Sequence, residues 1–388
     1  MLKGQHLPKH RGVSEGCMMK EQTVFYTDGD YREFDDYLRE SGAEKILLVC
    51  GSSIRYLKIN EYFKQLEEKS GIKIVRFGEF EPNPSYASVV KGVCLFKKEE
   101  CDLIVAVGGG SAMDVAKCIK LFANMNDGIN FLEQKIIPNN IRLFAVPTTA
   151  GTGSEATRYA VIYYNGEKQS VSDYSCIPEA VVMDPSVLES LPLYQKKVTM
   201  LDAMCHALES FWSVNSTPES QNYSKEAIRL IFNNSRAYLD NDRTGNANML
   251  KASYIAGQAI NITQTTAGHA MCYKLTTMYG LAHGHACALC VSKLWPYMLC
   301  NIDKCIDPRG QDYLARVFDR LAEIVGCSNR MEAAELYQNF VDELELDSPD
   351  IKSQSEYDIL KSSVNPVRLK NNPVSLTEAD IEKLYRQL

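Results

Sequence analysis

The feature that most constrains the fold is a change of pattern halfway along the chain. In the first half, short apolar runs alternate with amphipathic stretches. The apolar runs predict strands at 45–51, 72–78, 101–110, 141–149 and 179–185, and two amphipathic stretches predict helices at 60–71 and 86–100. Strands that alternate with helices are typical of a parallel sheet covered by helices on both faces.

After this region the helical period continues without interruption. The predicted helices are 196–213, 218–238, 246–265, 266–280, 284–300, 311–325, 330–345 and 377–387. We therefore predict an α/β plus all-α protein, with a Rossmann-like parallel-sheet domain at 22–193 and an all-helical domain at 194–388, after a disordered leader at 1–21. Ligands of open α/β sheets bind at the carboxyl ends of the strands, so we expect the cleft there, against the helical domain.

Composition narrows the classes of function. The net charge of −7 and the pI near 5.6 argue against a nucleic-acid partner, because binding phosphate backbones needs a basic face. No apolar run is long enough to cross a membrane, and no secretory signal follows the first residues. The thirteen cysteines lack the spacing of a disulfide framework and indicate reduced thiols in the cytoplasm. Cys287 and Cys290 form C-x-x-C, which we interpret as ordinary helical spacing rather than a redox pair.

A glycine-rich turn follows the strand predicted at 101–110. Gly108, Gly109 and Gly110 let backbone amides approach a phosphate, and the helix that follows offers its positive N-terminal end. Ser111 and Asp114 have the spacing of a capping box. The turn lacks the complete G-x-G-x-x-G fingerprint, so a tight turn without a ligand is the alternative interpretation.

A second turn of similar chemistry follows the strand predicted at 141–149. It contains Thr148, Thr149, Thr152 and Ser154, whose hydroxyls beside glycines suit the phosphates and ribose of a cofactor. Thr152 and Glu155 again have capping-box spacing. Two such turns at the ends of strands in one sheet favour a dinucleotide site over packing alone.

The helical half contains a candidate metal site. Asp202 and His206 lie four residues apart and therefore share one face of a helix. His269 and His283 follow later in the same half, and one carboxylate with three imidazoles suits Fe²⁺ or Zn²⁺ with a position left for substrate. The alternative is that these are hydrogen-bonded core histidines. His285 points elsewhere along the helix from His283, so we expect it either to support the ligands from behind or to lie at the surface.

Several long motifs together resemble the iron-containing alcohol dehydrogenase family over residues 22–388. They are GGGSAMDVAK, PTTAGTGSEAT, VVMDP, LDAMCHALES and GHAMCYKLTTMYGLAHG, in the family's order. The resemblance implies a dehydroquinate synthase-like fold, a metal held by Asp202, His206, His269 and His283, and NAD(P)H-linked reduction of a small aldehyde. It also implies a homodimer or larger homo-oligomer.

One departure from the family concerns the coenzyme. Many members have an aspartate for the adenosine ribose where this chain has Gly51, followed by Ser52 and Ser53. Without that carboxylate a 2′-phosphate is not repelled, and the serines can donate to it. We therefore expect NADP(H) to be preferred over NAD(H).

Another departure concerns the substrate. Tyr273 stands where many members have a histidine, and Lys274 follows it, as in a subgroup that reduces phosphonoacetaldehyde to 2-hydroxyethylphosphonate. Arg158 falls where a residue facing the substrate is expected, and arginine grips a phosphonate through two hydrogen bonds. We predict Arg158 and Lys274 as phosphonate anchors and Tyr273 as a proton donor or relay.

Other functions remain open at this stage. The alternative for Arg158 and Lys274 is that they are surface residues or pair with nearby carboxylates. The alternatives are a dehydrogenase for a short uncharged alcohol or diol, a dehydroquinate synthase-like lyase, which would need a different ligand set including a glutamate, and a catalytically silent scaffold.

Overall fold

The computed structural model describes residues 22–388, so the leader predicted at 1–21 lies outside the described chain. A six-stranded sheet, in which every neighbouring pair is parallel, organises the first half of this part. Its strands are β1 (Thr23–Tyr26), β2 (Lys45–Cys50), β3 (Lys73–Phe77), β4 (Leu103–Gly108), β5 (Arg142–Pro147) and β8 (Ala180–Met183). The prediction of a parallel-sheet domain is confirmed.

Three strands of this half were not predicted. One is β1, a four-residue strand at the edge of the sheet beside β8. The other two, β6 (Tyr159–Tyr164) and β7 (Glu167–Ser172), pair as an antiparallel hairpin, which forms a separate two-stranded sheet. Its turn is Asn165-Gly166, with positive φ at both residues, and Asn-Gly is a strong hairpin signal.

Helices cover both faces of the six-stranded sheet, and the middle strands are consequently apolar at nearly every position. Every residue of β4 is buried, as expected of a strand that packs against helices on both sides. The helices of this half are α1 (Arg32–Glu40), α2 (Lys58–Ser70), α3 (Tyr86–Lys98) and α4 (Gly110–Phe122). A helix from Arg32 was not predicted, whereas those near 60–71 and 86–100 are confirmed.

The second half is helical, as predicted. Its helices are α5 (Leu193–Trp212), α6 (Pro218–Leu239), α7 (Arg243–Thr263), α8 (Ala267–Tyr279), α9 (His283–Cys300), α10 (Gln311–Val325), α11 (Arg330–Asp342), α12 (Gln354–Ser362), α13 (Pro366–Leu369) and α14 (Glu378–Tyr385). The short α12 and α13 were not predicted. The only strand-like pairing in this half of the described chain is an isolated bridge between Cys305 and Val374.

The strand order places the predicted cofactor turns side by side. The order is β1-β8-β5-β4-β2-β3, so the turns after β5, β4 and β2 follow three adjacent strands. The chain passes from β2 to β3 on one side and returns to β4 on the other, which makes the gap between β2 and β4 a topological switch point. The helical half closes on this edge: a Cβ at Gly153 would lie 2.6 Å from the Gly257 Cα in α7.

Candidate metal centre and nucleotide-binding turns

Three packed helices bring the four predicted ligands together. Asp202 and His206 lie one turn apart on α5, while His269 and His283 lie in the first turns of α8 and α9. The Asp202 Oδ1 atom is 3.9 Å from His206 Nε2, 3.5 Å from His269 Nε2 and 4.0 Å from His283 Nε2. All three imidazoles therefore turn the same ring nitrogen towards one carboxylate oxygen.

The residue after His283 allows this convergence. A Cβ on Gly284 would lie 2.0 Å from the Val198 carbonyl oxygen and 2.7 Å from the Asp202 Cβ. Only glycine lets the start of α9 approach α5 this closely. The sequence Ala-His-Gly-His thus places His283, rather than His285, against Asp202.

The donor set fits a divalent metal ion. Asp202 Oδ1 and His269 Nε2 are buried and make no hydrogen bond in the described chain, which is costly unless another group satisfies them. Burial raises the pKa of Asp202, but the three surrounding histidines outweigh burial and hold its pKa well below the usual range. An ionised carboxylate and imidazole nitrogens with unused lone pairs are the ligands that Fe²⁺ and Zn²⁺ take.

A buried carboxylate that was not predicted orients one of these ligands. Glu209 lies on α5 with no exposed surface and accepts the His269 Nδ1–H. It also accepts hydrogen bonds from the Thr266 amide at 3.0 Å and the Thr266 hydroxyl at 2.6 Å. The hydrogen bond from His269 Nδ1 to Glu209 fixes the tautomer of His269, so that the unprotonated Nε2 faces Asp202. The signal was available in the sequence, since Glu209 lies seven residues after Asp202 on the same helical face.

One thiol of the C-x-x-C pair contacts a proposed ligand, since Cys287 Sγ lies 3.2 Å from His269 Nδ1. His285 is buried, and its Nδ1 is 3.2 Å from the Tyr194 hydroxyl. Cys287 and Cys290 are buried free thiols on α9, and burial raises the pKa of both. All twelve cysteines of the described chain are free.

The first predicted capping box is wrong. The α4 helix begins after Gly109 without a side-chain cap, and Asp114 Oδ1 instead accepts from the Ser154 hydroxyl at 3.1 Å. Lys117, one turn further along, donates to the backbone oxygens of Ser154 at 2.6 Å and Thr157 at 2.7 Å. Asp114 and Lys117 therefore join the two predicted cofactor turns to each other.

The second capping box is also wrong in detail. The Thr152 hydroxyl accepts from the Ser154 amide at 3.3 Å, but only a short 3₁₀ helix (Ser154–Ala156) follows. Glu155 is buried, one of its carboxylate oxygens has no partner, and burial raises its pKa to about 7. The two turns approach closely, because a Cβ on Gly109 would lie 3.0 Å from the Thr149 hydroxyl oxygen.

The other predicted cofactor residues lie along the same edge of the sheet. Gly108 ends β4, and Gly110 and Ser111 begin α4. Thr148 and Thr149 follow β5 directly. Gly51 follows β2, and the exposed Ser52 and Ser53 begin a short 3₁₀ helix.

The two predicted substrate anchors are placed differently from each other. The Arg158 guanidinium already donates to the Asn261 carbonyl and, at 2.9 Å, to the Tyr174 hydroxyl. Lys274 is five residues from His269 on α8, a rotation of about 140° around the helix from that ligand. Neither placement brings the side chain into a described contact with a metal ligand.

Two cations that were not predicted lie instead beside Tyr273, which packs against the proposed ligand His283. Lys168 on β7 places its Nζ 3.5 Å from the centre of the Tyr273 ring, and the Arg368 Cζ on α13 is 5.4 Å from the same centre. Tyr273 stacks on His283, with ring centres 5.5 Å apart and planes 14° apart. The signals were Asn165-Gly166 for the hairpin and Asn365-Pro366 for the helix start.

A sheet edge that suits dinucleotide binding and a buried carboxylate–imidazole group are the features expected of a metal-dependent dinucleotide enzyme. Residues 21–185 match the family model described as iron-containing alcohol dehydrogenase, and residues 196–388 match that of its C-terminal domain. The chain belongs to the iron-containing alcohol dehydrogenase family. This assignment favours a dehydrogenase over the lyase and over the silent scaffold.

Relatives with different activities are similarly close. Alcohol dehydrogenase 4 of Saccharomyces cerevisiae is 32% identical over 286 residues, 71% of this chain and 72% of its own length. A phosphonoacetaldehyde reductase of Streptomyces viridochromogenes is 32% identical over 297 residues, 73% of this chain and 75% of its own length. A crystal structure of an iron-containing alcohol dehydrogenase has a TM-score of 0.82 at 27% identity, covering 95% of this chain and 97% of that one.

The helices of the described residues are too short or too polar to span a bilayer. This agrees with the absence of a long apolar run in the sequence.

Proposed function

We propose that the protein reduces a small aldehyde to its alcohol with NADPH, at a divalent metal ion held by Asp202, His206, His269 and His283, and that phosphonoacetaldehyde is its substrate. The observation that supports this most is the buried group of three imidazoles around the Asp202 carboxylate, with unsatisfied ligand atoms. These four residues lie in the helical half, which packs against the edge of the parallel sheet formed by the carboxyl ends of its strands.

The chain's own residues prepare the metal site. When bound, the metal supplies Lewis acidity for the carbonyl group and the coenzyme supplies the hydride. Asp202 provides the negative charge that offsets a divalent ion, and Glu209 keeps His269 in the tautomer that leaves Nε2 available. Both Fe²⁺ and Zn²⁺ suit this donor set.

The turns at the sheet edge support coenzyme binding. Amides of the turn at Gly108–Ser111 and hydroxyls of Thr148, Thr149 and Thr152 suit phosphate and ribose groups at the α4 N-terminus. Asp114 and Ser154 support the turn through their mutual hydrogen bond. Gly51 leaves open space at its side-chain position, which admits a 2′-phosphate next to Ser52 and Ser53.

Tyr273 acts in this proposal as a neutral wall of the substrate site. Burial raises its pKa, an effect that the Arg368 charge opposes but does not cancel. The phenol therefore stays protonated at neutral pH, and its ring packs against His283. A more weakly acidic phenol is a poorer proton donor, so we assign the proton taken up by the product oxygen to water, with Tyr273 orienting the relay.

The substrate assignment is supported by the phosphonoacetaldehyde reductase relative and by the cations beside Tyr273. The second candidate is an uncharged short alcohol or diol, which the equally similar alcohol dehydrogenase 4 favours.

A parallel assay tests these assignments. Metal-free protein is reloaded with Fe²⁺ or Zn²⁺, and oxidation of NADPH and of NADH is followed with phosphonoacetaldehyde, propanal and butanal. We expect turnover only with metal, higher kcat/KM with NADPH, and higher kcat/KM with phosphonoacetaldehyde. Equal rates with and without metal would contradict the metal-dependent mechanism, and a preference for propanal would support the uncharged substrate.

A further inference from the structure

Two positive charges meet on the ring of Tyr273 without a negative partner. Lys168 lies over the ring at 3.5 Å, and Arg368 approaches it at 5.4 Å. Neither cation forms an ion pair with a carboxylate within residues 22–388. Two other partly buried arginines do have carboxylate partners: Arg142 pairs with Glu179 at 2.7 Å, and Arg309 with Asp307 at 2.6 Å.

The arginine is held in place by a neutral group. Its Nη1 donates to the Thr265 hydroxyl at 2.8 Å, which leaves most of the five guanidinium N–H donors for another partner. Thr265 is buried in the segment between α7 and α8, next to the helix that contains His269. Arg368 is therefore held near the start of α8 by a partner that does not neutralise its charge.

The lysine lies between the coenzyme turns and the metal ligands. Burial and the nearby Arg368 charge together lower the pKa of Lys168 to about 8, although Cys272, Asp114 and Asp202 act in the opposite direction. Asp114 belongs to the helix of the first glycine turn, and Asp202 is a proposed metal ligand. A bound anion would relieve the repulsion between the two cations, since buried charges are stable when paired.

We propose that Arg368 and Lys168 form an anion-binding subsite on Tyr273, which takes the phosphonate or sulfonate group of a short aldehyde whose carbonyl group reaches the metal centre. The inference rests on the proposed function and replaces Arg158 and Lys274 as the anchors. Phosphonate and sulfonate share a tetrahedral oxyanion, which a guanidinium can grip through two hydrogen bonds. Tyr273 links the subsite to the metal centre through its stacking on His283.

Matched aldehydes provide the test. Phosphonoacetaldehyde and sulfoacetaldehyde carry the anion, whereas 3,3-dimethylbutanal has a neutral tert-butyl group of similar shape in its place. In Arg368→Met and Lys168→Met, we expect kcat/KM for both anionic aldehydes to fall roughly 30- to 1000-fold, as when one member of a desolvated charge pair is removed. The kcat/KM for 3,3-dimethylbutanal should change less than about threefold, because it never uses those contacts.

Control variants separate the subsite from other effects. Lys370→Met removes an exposed charge next to the α13 helix. It should leave the ratio of kcat/KM for the anionic aldehydes to that for 3,3-dimethylbutanal unchanged. Arg158→Met and Lys274→Met should affect anionic and neutral aldehydes by the same factor. If these two variants show the selective loss instead, or if Arg368→Met slows all three aldehydes equally, the subsite is wrong. A raised KM for NADPH with every aldehyde in Arg368→Met would assign the cations to the coenzyme and likewise contradict the proposal.

A binding measurement keeps this inference separate from the proposed reaction. Calorimetry with ethylphosphonate reports the subsite without turnover, and melting temperatures verify that each variant is folded. We expect binding to the parent protein and at least a tenfold loss in Arg368→Met. Ethylphosphonate binding without any aldehyde turnover would support the anion-binding subsite and contradict the proposed reaction. Turnover of 3,3-dimethylbutanal without ethylphosphonate binding would support the proposed reaction and contradict the anion-binding subsite.

Discussion

The metal ligands and the cations beside Tyr273 come from contrasting kinds of structure. The ligands lie on α5, α8 and α9, which have 20, 13 and 18 residues, whereas Lys168 lies on a six-residue strand of a hairpin and Arg368 on a four-residue helix. Three of the ligands are buried in a helical core, while both cations are half-buried. The proposed reaction centre thus lies in the helical core, and the proposed substrate contacts lie on short peripheral elements.

This difference explains how one family can act on different substrates. Changes in a hairpin or a short helix alter the substrate site without disturbing the packing of the long helices. Relatives of equal identity to this chain accordingly include both an alcohol dehydrogenase and a phosphonoacetaldehyde reductase. Substitutions at the proposed metal ligands should therefore cause loss of the metal. Substitutions at the cations beside Tyr273 should instead reduce the preference for anionic over neutral aldehydes.

The largest effect is expected from His269→Ala. Removing a ligand that is fixed by Glu209 should abolish stoichiometric metal binding and lower kcat/KM for every aldehyde by roughly a thousandfold or more, since a metal stabilises transition-state charge by several kcal/mol. Elemental analysis and NADPH oxidation measure the two effects. The matched variant is His285→Ala, which removes a buried histidine outside the group and should retain the metal. A full metal complement in His269→Ala would contradict the site.

The next largest effect concerns the orientation of that ligand. Glu209→Gln replaces the acceptor of the His269 Nδ1–H with a neutral amide, so we expect metal affinity to fall about 10- to 100-fold. Competition with a chelator measures the affinity, and circular dichroism verifies the fold. Glu155→Gln, a change at an equally buried carboxylate in the coenzyme turn, should leave metal affinity as it is. If Glu209→Gln and the parent protein bind the metal with the same affinity, Glu209 does not orient His269 for metal binding.

A smaller effect is expected at the coenzyme turn. Gly51→Asp introduces a carboxylate where the backbone is extended and space is open, so the variant should fold normally. It should shift the preference from NADPH towards NADH by about 1–3 kcal/mol, because the carboxylate repels the 2′-phosphate and accepts from ribose hydroxyls. The ratio of kcat/KM for the two coenzymes measures the shift, and Gly51→Asn is the uncharged control. A parent enzyme that prefers NADH would contradict the assignment.

The smallest expected effect is that the preference for an anionic over a neutral aldehyde depends on pH. The pKa of Lys168 is lowered to about 8, so its charge is present at pH 7 and is lost as the pH rises through about 8. The kcat/KM for sulfoacetaldehyde relative to 3,3-dimethylbutanal should then fall by about 3- to 10-fold between pH 7 and 9, because the charged fraction of Lys168 falls by about tenfold over that range. The sulfonate does not titrate in this range. Lys168→Met should show a flat ratio, and a ratio that rises with pH in the parent would exclude Lys168.

The long elements were predictable because their patterns repeat. Apolar periodicity and glycine turns predicted five of the six strands in the parallel sheet, and the i, i+4 spacing of Asp202 and His206 predicted half of the proposed metal ligands. The order of the strands and the meeting of α5, α8 and α9 depend on packing between distant segments, which local patterns do not encode.

The substrate side was harder to predict for a physical reason. Lys168 and Arg368 are 200 residues apart, and each belongs to an element too short to show a period. Lys274 was chosen by its distance along the chain from His269, although five residues rotate a helical side chain away from the first. Asn165-Gly166 was the one local signal that would have revealed the hairpin and with it Lys168.

The account is tested most directly by a crystal structure of the metal-loaded protein with NADP⁺ and 2-hydroxyethylphosphonate. We expect one metal ion bound by Asp202, His206, His269 and His283, with the hydroxyl end of the ligand next to it. The phosphonate oxygens should lie within hydrogen-bonding distance of the Arg368 guanidinium and the Lys168 ammonium group. A phosphonate bound to Arg158 and Lys274, or a metal ion held by other residues, would contradict the account.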